Sequence, residues 1–219
     1  MRIYLKTTPN TGPVPFDYQQ KLIGCIHKWL GSNELHDKIS LYSFSWLRNG
    51  KKNGIDLVFR DGAEWFISFY EDKYIKKIVQ TILSDPQMFS GMQVIDIAIC
   101  ETPDFSNQEY FRLASPVFIK RRLNEKDIRF YLFDDPEANG FMVETLKHKM
   151  EIAGLPIDET LDIKFDLNYP MKKVKKVKIH GDIKCSMCPL IIKGKPETKA
   201  FAWAVGIGNA TGSSMGSLI

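Results

Sequence analysis

The sequence is poor in the residues that build metal centres: four histidines and four cysteines in 219 residues. Only Cys185 and Cys188 stand at C-x-x-C spacing, whereas a structural zinc site takes four ligands, usually from two such pairs. Cys25 and Cys100 lie singly in apolar patterns and read as core residues. No cluster of Asp, Glu and His has the make-up of a metal site, so no metal and no cofactor are expected. Long apolar runs are also missing. None approaches the roughly 20 residues of a membrane span. The start, Met1 to Lys6, alternates like a strand and lacks the apolar block of a signal peptide. These absences predict no membrane association, a cytoplasmic location and reduced cysteines.

What is present is an ordinary globular composition, 44% hydrophobic and 26% charged, which suits a packed core rather than a disordered chain. The length allows one large core or two of roughly 100 residues each. A net charge of +4 and a pI near 8.7 permit a polyanionic partner without requiring one.

Periodicity divides the chain. Residues 1–7 read as a strand. Asp17 to Leu30 reads as a helix, with Leu22, Ile26, Trp29 and Leu30 on one face and Gly31 closing it. Ser40 to Leu47 alternates as a strand with Tyr42, Phe44 and Trp46 on one side. Arg48 to Gly54 is turn chemistry. Ile55 to Phe59 and Glu64 to Phe69 read as strands joined by an Asp61-Gly62 hairpin turn. A helix from Asp72 to Leu83 and a strand from Met92 to Cys100 complete a β-α-β-β-α-β plan with one extra hairpin strand. Residues 102–108 read as a linker. The second half repeats the plan: an extended segment at 110–122, a helix at 137–153, strands near 161–168, 172–180 and 183–193, and a short helix at 197–205. The expected fold class is α+β, with two tandem ferredoxin-like (RRM-like) domains at 1–104 and 109–219.

Three further features bear on chemistry. After the short helix comes a glycine-rich stretch, Gly206-Ile207-Gly208-Asn209-Ala210-Thr211-Gly212, then Gly216. Such a loop lets bare backbone N–H groups approach a phosphate; equally, it serves as a turn into a final strand. Lys120-Arg121-Arg122 is basic. So is Lys172-Lys173-Val174-Lys175-Lys176-Val177-Lys178, which reads either as protection of an exposed sheet edge or as a track for phosphates. His27 lies at the edge of the apolar stripe in the last turn of the first helix, and His36 follows in a loop. Taken alone, both are ordinary surface histidines. His148 and His180 read as solvated and as part of a turn.

Several stretches together resemble the RAMP superfamily of CRISPR-associated proteins. Within it, the chain is similar to the endoribonucleases that cut CRISPR precursor RNA inside its repeats. The resemblance is carried by Val14-Pro15-Phe16-Asp17-Tyr18-Gln19, Leu22 to His27, Leu35-His36, Leu41 to Ser45, Ser115-Pro116-Val117, Cys188 to Gly194 and Gly206 to Gly212. It implies metal-independent cleavage by the substrate's own 2′-hydroxyl, leaving a 2′,3′-cyclic phosphate and a 5′-hydroxyl. His27 and His36 then fall at the family's proton-transfer positions. The family often places a Lys just before the following strand; here that column holds Ser40, and Lys38 is the nearest replacement, with Arg48 and Lys51 as alternatives. CRISPR repeat RNA is the implied partner, held by Lys120, Arg121, Arg122, Lys172, Lys173, Lys175, Lys176 and the backbone at Gly206, Gly208 and Gly212. Effector-complex subunits and a homodimer stay open as further partners. Two rival readings remain: a catalytically silent RNA-binding RAMP subunit, and a small-molecule enzyme on the same scaffold.

Overall fold

The computed structural model describes residues 1–32, 39–125, 127–178 and 181–219. Its first half is built on a four-stranded antiparallel sheet in the order β3-β6-β1-β7 (Tyr42–Phe44, Glu64–Phe69, Arg2–Thr7, Val94–Cys100). Helices α1 (Gln19–Leu30) and α2 (Asp72–Ser84) cover one face. Apolar residues at helical spacing drive this: Leu22, Ile26, Trp29 and Leu30 of α1, and Ile75, Ile78 and Ile82 of α2, are all buried. They pack on Ile3, Leu5, Phe44, Trp65, Ile67 and Phe69 to form the first core.

Local chemistry redirects part of the expected pattern. Asp61-Gly62 does not join two paired strands. The strand before it, β5 (Asp56–Val58), instead pairs with β4 (Lys51–Asn53) and β2 (Val14–Pro15) in a separate small sheet. Gly62, at φ +80, packs so closely that a Cβ would lie 1.9 Å from the Thr7 carbonyl. It therefore closes a crossing rather than a hairpin. Part of the segment expected to be turn, 51–53, is the strand β4. β7 is an edge strand, and Ile95 and Ile99 on it are exposed.

The second half repeats the strand order around its own core. β8 (Tyr110–Phe111), α3 (Ala138–Ile152), β11 (Asp162–Phe165), β14 (Leu190–Lys193) and α4 (Pro196–Val205) follow in turn. The sheet runs β11-β14-β8, and the last segment joins it through the Leu113↔Leu218 bridge. Two hairpins interrupt the sequence: β9 (Ile119–Arg122) with β10 (Ile128–Tyr131), and β12 (Lys173–Lys178) with β13 (Asp182–Met187). Phe105 belongs to this second core, its ring tilted against those of Phe111 and Trp203, so the expected linker already contributes to packing. Cys185 sits in a small third cluster with Met215, while Cys188 lies in the second core. Among the described residues, no helix is long and apolar enough to cross a membrane.

The halves meet where the first sheet turns its other face to α4. β3 is buried on both sides: Tyr42 and Phe44 enter the first core, while Ser43 donates to the Ala204 carbonyl at 3.0 Å. Arg2, fully buried, donates to Ser68 Oγ at 2.6 Å and to the Trp203 and Leu218 carbonyls at 3.1 and 2.9 Å. Its guanidinium lies between the Phe66 and Trp203 rings, 3.8 and 3.7 Å from their centroids. That face is consequently closed to stacked RNA bases.

Candidate nucleic-acid interface and active site

α1 ends at Gly31, whose N–H bonds the His27 and Lys28 carbonyls at 2.9 and 3.3 Å. The cap places half-buried His27 in the final turn. Lys28 is tied off by Asp85 at 3.0 Å. His36 and Lys38 lie outside the described residues, as does His180. The chain re-enters at Ile39 and Ser40, and both line a cavity of about 370 Å³. Its other walls are Arg121, Glu144, Thr145, His148 and Lys149 on one side and Gly208 to Thr211 on the other. The glycine loop therefore adjoins the point where the histidine-bearing segment rejoins the fold.

The glycines of this loop are needed first for close packing within the protein. Gly206 and Gly208 have φ of +72 and +81, and a Cβ on Gly208 would lie 2.5 Å from the Phe118 carbonyl. A Cβ on Gly212 would reach 2.3 Å from Ser40 Oγ and 2.7 Å from the Tyr42 hydroxyl. Tyr42 donates to the Gly212 carbonyl at 3.3 Å, and Trp46 Nε1 to the Ser214 carbonyl at 2.9 Å. The loop thus holds the second half against β3 and its flanks. Burial raises the Tyr42 phenol to about 12, offset partly by its hydrogen bond with Ser40; it is neutral at physiological pH.

Among the basic residues the structure separates three roles. Arg121 turns onto α3, donating to the Phe141 carbonyl at 2.9 Å, Glu144 Oε2 at 3.0 Å and Thr145 Oγ1 at 3.1 Å. Lys120 and Arg122 on the same strand are exposed, and the Lys120 N–H is held by Asn209 Oδ1 of the glycine loop at 2.8 Å. The lysine run forms β12, where Lys173, Lys176 and Lys178 are exposed while Lys172 and Lys175 are half-buried. Lys176 stands opposite Lys184, a like-charge pair that weakens a hairpin. Lys175, Lys176 and Lys178 line a second groove of about 660 Å³, facing Phe16, Tyr18 and Gln19 at the start of α1. His27 lies near the other end of the same 12-residue helix, roughly 18 Å long.

Of two further wall residues, His148 is solvent-exposed as its place on the polar face of the helix suggests, while Lys149 escaped the sequence reading. His148 lines the cavity beside Glu151, its Nδ1 3.3 Å from the carboxylate. Lys149 is 3% exposed, and its Nζ lies within 3.0 Å of the Val205 carbonyl and 2.9 Å of Thr211 Oγ1. A signal for Lys149 existed: it is seven residues after Met142, three after Leu146 and next to Met150, inside the buried stripe of α3.

Residues 100–218 match the family model described as CRISPR associated protein Cas6, C-terminal. The whole chain aligns with the CRISPR-associated endoribonuclease Cas6 1 of Methanocaldococcus jannaschii at 24% identity, covering 92% of that protein. In fold it is similar to a Cas6-related protein from Pyrococcus furiosus, with TM-score 0.85 at 21% identity over 100% of this chain and 97% of that one. A RAMP protein described as binding different RNA substrates superposes with TM-score 0.84 at 20% identity, over 100% and 98% of the two chains. With more than half of its length matched by the family model, the chain belongs to the Cas6 family of CRISPR-associated proteins.

Proposed function

We propose that the chain is a metal-independent endoribonuclease that cuts CRISPR precursor RNA within its repeats. The 2′-hydroxyl 5′ to the scissile bond attacks the phosphorus, the 5′-oxygen leaves, and the ends are a 2′,3′-cyclic phosphate and a 5′-hydroxyl. His27 and His36 carry the two protons, and Lys38 stabilises the charged phosphorane. The observation that carries this reading is the cavity beside Ser40. It lies where the segment bearing His36 and Lys38 rejoins the fold, and it is walled by the glycine loop and by basic side chains. The aligned relative's name, an endoribonuclease, supports the same activity. The scaffold is read as two tandem ferredoxin-like units, 1–104 and 109–219. RNA would run from this cavity across Lys120, Arg121 and Arg122 and the backbone of Gly206, Gly208 and Gly212. It would also follow Lys172, Lys173, Lys175 and Lys176 along the second groove.

The test is cleavage of repeat RNA transcribed from the host's own array, in excess EDTA. One cut is expected, abolished by a 2′-deoxy substitution at the nucleotide 5′ to it. His27→Ala and His36→Ala should each slow the single-turnover rate by roughly a hundredfold with affinity kept. A silent RNA-binding subunit is the second reading, favoured by Ser40 at the column where the family often has Lys. Tight binding without any cut would select it, and products ending in a 3′-hydroxyl would overturn the mechanism.

A further inference from the structure

Lys149 is an ammonium buried at the C-terminal end of α4. Its Nζ donates to the carbonyls of Val205 and Gly206 at 3.0 and 3.4 Å and to Thr211 Oγ1 at 2.9 Å. The first two carbonyls belong to the helix end, where backbone acceptors lack partners and the dipole is negative. Three acceptors use all three protons of an ammonium. The third bond does something the first two do not. Thr211 passes it on, donating its own hydroxyl proton to the Ser40 carbonyl at 3.5 Å. The same turn of chain grips Ser40 and Tyr42 through the close approach at Gly212.

A capping role alone does not account for this residue. Burying an ammonium without a carboxylate partner is costly. A Met at this place would fill the stripe of α3 and leave the α4 carbonyls to a simpler cap. What the ammonium adds is a directed link from the core of the second half, through Thr211, to the backbone at which the segment bearing His36 and Lys38 rejoins the first half. We infer that Lys149 and Thr211 are positioning residues for the Ser40 wall of the cavity: they hold the Ser40 backbone in register, so that RNA cleavage depends on them although neither carries a proton in the reaction. This rests on the reading of His36 as catalytic given above.

The informative variant is Thr211→Val. It keeps the side-chain shape and leaves Lys149 bonded to both α4 carbonyls, yet cuts the link to Ser40. Single-turnover cleavage of the host's repeat RNA is measured with the full chain at saturating enzyme, beside RNA affinity and melting temperature. Thr211→Val should slow cleavage roughly ten- to a hundredfold with affinity within twofold, Tm falling modestly because one proton of the buried ammonium loses its acceptor, and Thr211→Ser should recover most of the rate. Lys149→Met should slow it similarly, and the double variant should be no slower than the slower single one. If Lys149→Met does not fold, the Thr211 pair carries the test alone. Thr211→Val cutting at wild-type speed while His36→Ala is slow would overturn the inference and leave the catalytic reading intact. Rate and affinity falling together would overturn it too. His36→Ala cutting at wild-type speed would overturn the catalytic reading, and this inference with it.

Discussion

Arg2 and Lys149 are both cations buried where the halves meet, and among the described residues neither pairs with a carboxylate. They solve the problem differently. Arg2 spreads its charge over a planar group, stacks it between Phe66 and Trp203, and donates to carbonyls and a serine on both halves. Burial lowers its pKa to about 10, offset in part by its hydrogen bond with Tyr4. Lys149 is a compact point charge with three acceptors, and burial lowers it to about 7. A guanidinium loses less on leaving water than an ammonium does. Arg2 is therefore a permanent rivet, whereas Lys149 can exchange its proton near physiological pH.

The largest effect should come from removing the rivet. Arg2→Leu leaves two carbonyls and Ser68 without their donor, and about 3–5 kcal/mol of unfolding free energy should be lost, read by urea denaturation. Arg2→Lys should regain under half of it, since an ammonium can neither fork nor stack as Arg2 does. Full rescue by Lys would erase the distinction drawn above.

The pH dependence should come next in size. Folded Lys149 binds its proton less tightly than the unfolded chain does, whose lysine titrates near 10.5. Between about pH 7 and that value the unfolded state holds the extra proton, so stability must rise with pH. The slope from this group approaches about 1.4 kcal/mol per pH unit at most. Lys149→Met should flatten it between pH 7.5 and 9.5, while Arg2→Leu should leave that slope in place. An unchanged slope in Lys149→Met would mean that the buried ammonium keeps its proton throughout.

The lysines of β12, exposed or half-buried, make a third class with little effect on folding. Replacing Lys173, Lys175 and Lys176 by Ala should weaken RNA binding and reduce the salt-dependence slope by about 0.7 per lost single-strand contact. Melting should barely move. Unchanged binding would show that the run only guards the open edge of β12. Smallest of all, Glu144→Ala should cost about 0.5 kcal/mol, because Glu144 is largely exposed and Arg121 keeps its bonds to Phe141 and Thr145.

The helices were legible because their apolar spacing is strong: α1 and α2 follow it closely at Leu22, Ile26, Trp29, Ile75 and Ile78. Other features were set by tertiary packing that no local pattern records. Ser43 and Ser45 fall opposite the aromatic side of their strand, where nothing local marks them as buried, yet both are. Asp61-Gly62 looked like a hairpin, but the close contact of Gly62 with the Thr7 carbonyl decides where the chain goes. The residues of the candidate site divide in the same way. His27 was visible from its helical position. Lys149 was not singled out, because a lysine on a helix is ordinarily solvated. Its acceptors lie 56 to 62 residues further along the chain.

The bond from Arg2 to the Leu218 carbonyl spans 216 residues of sequence, and this has a consequence during synthesis. The first core draws on residues from Ile3 to Val94, so it can assemble while the ribosome is still translating. Arg2 cannot find Trp203 or Leu218 until those residues have been made, roughly 5 to 25 s after Val94 at ordinary elongation speeds. During that interval the nascent first half displays Tyr4, Phe66 and the hydrated Arg2 guanidinium on an open sheet face. That face is where a holding chaperone would bind, and a slow codon run between Val94 and Leu218 would lengthen its exposure.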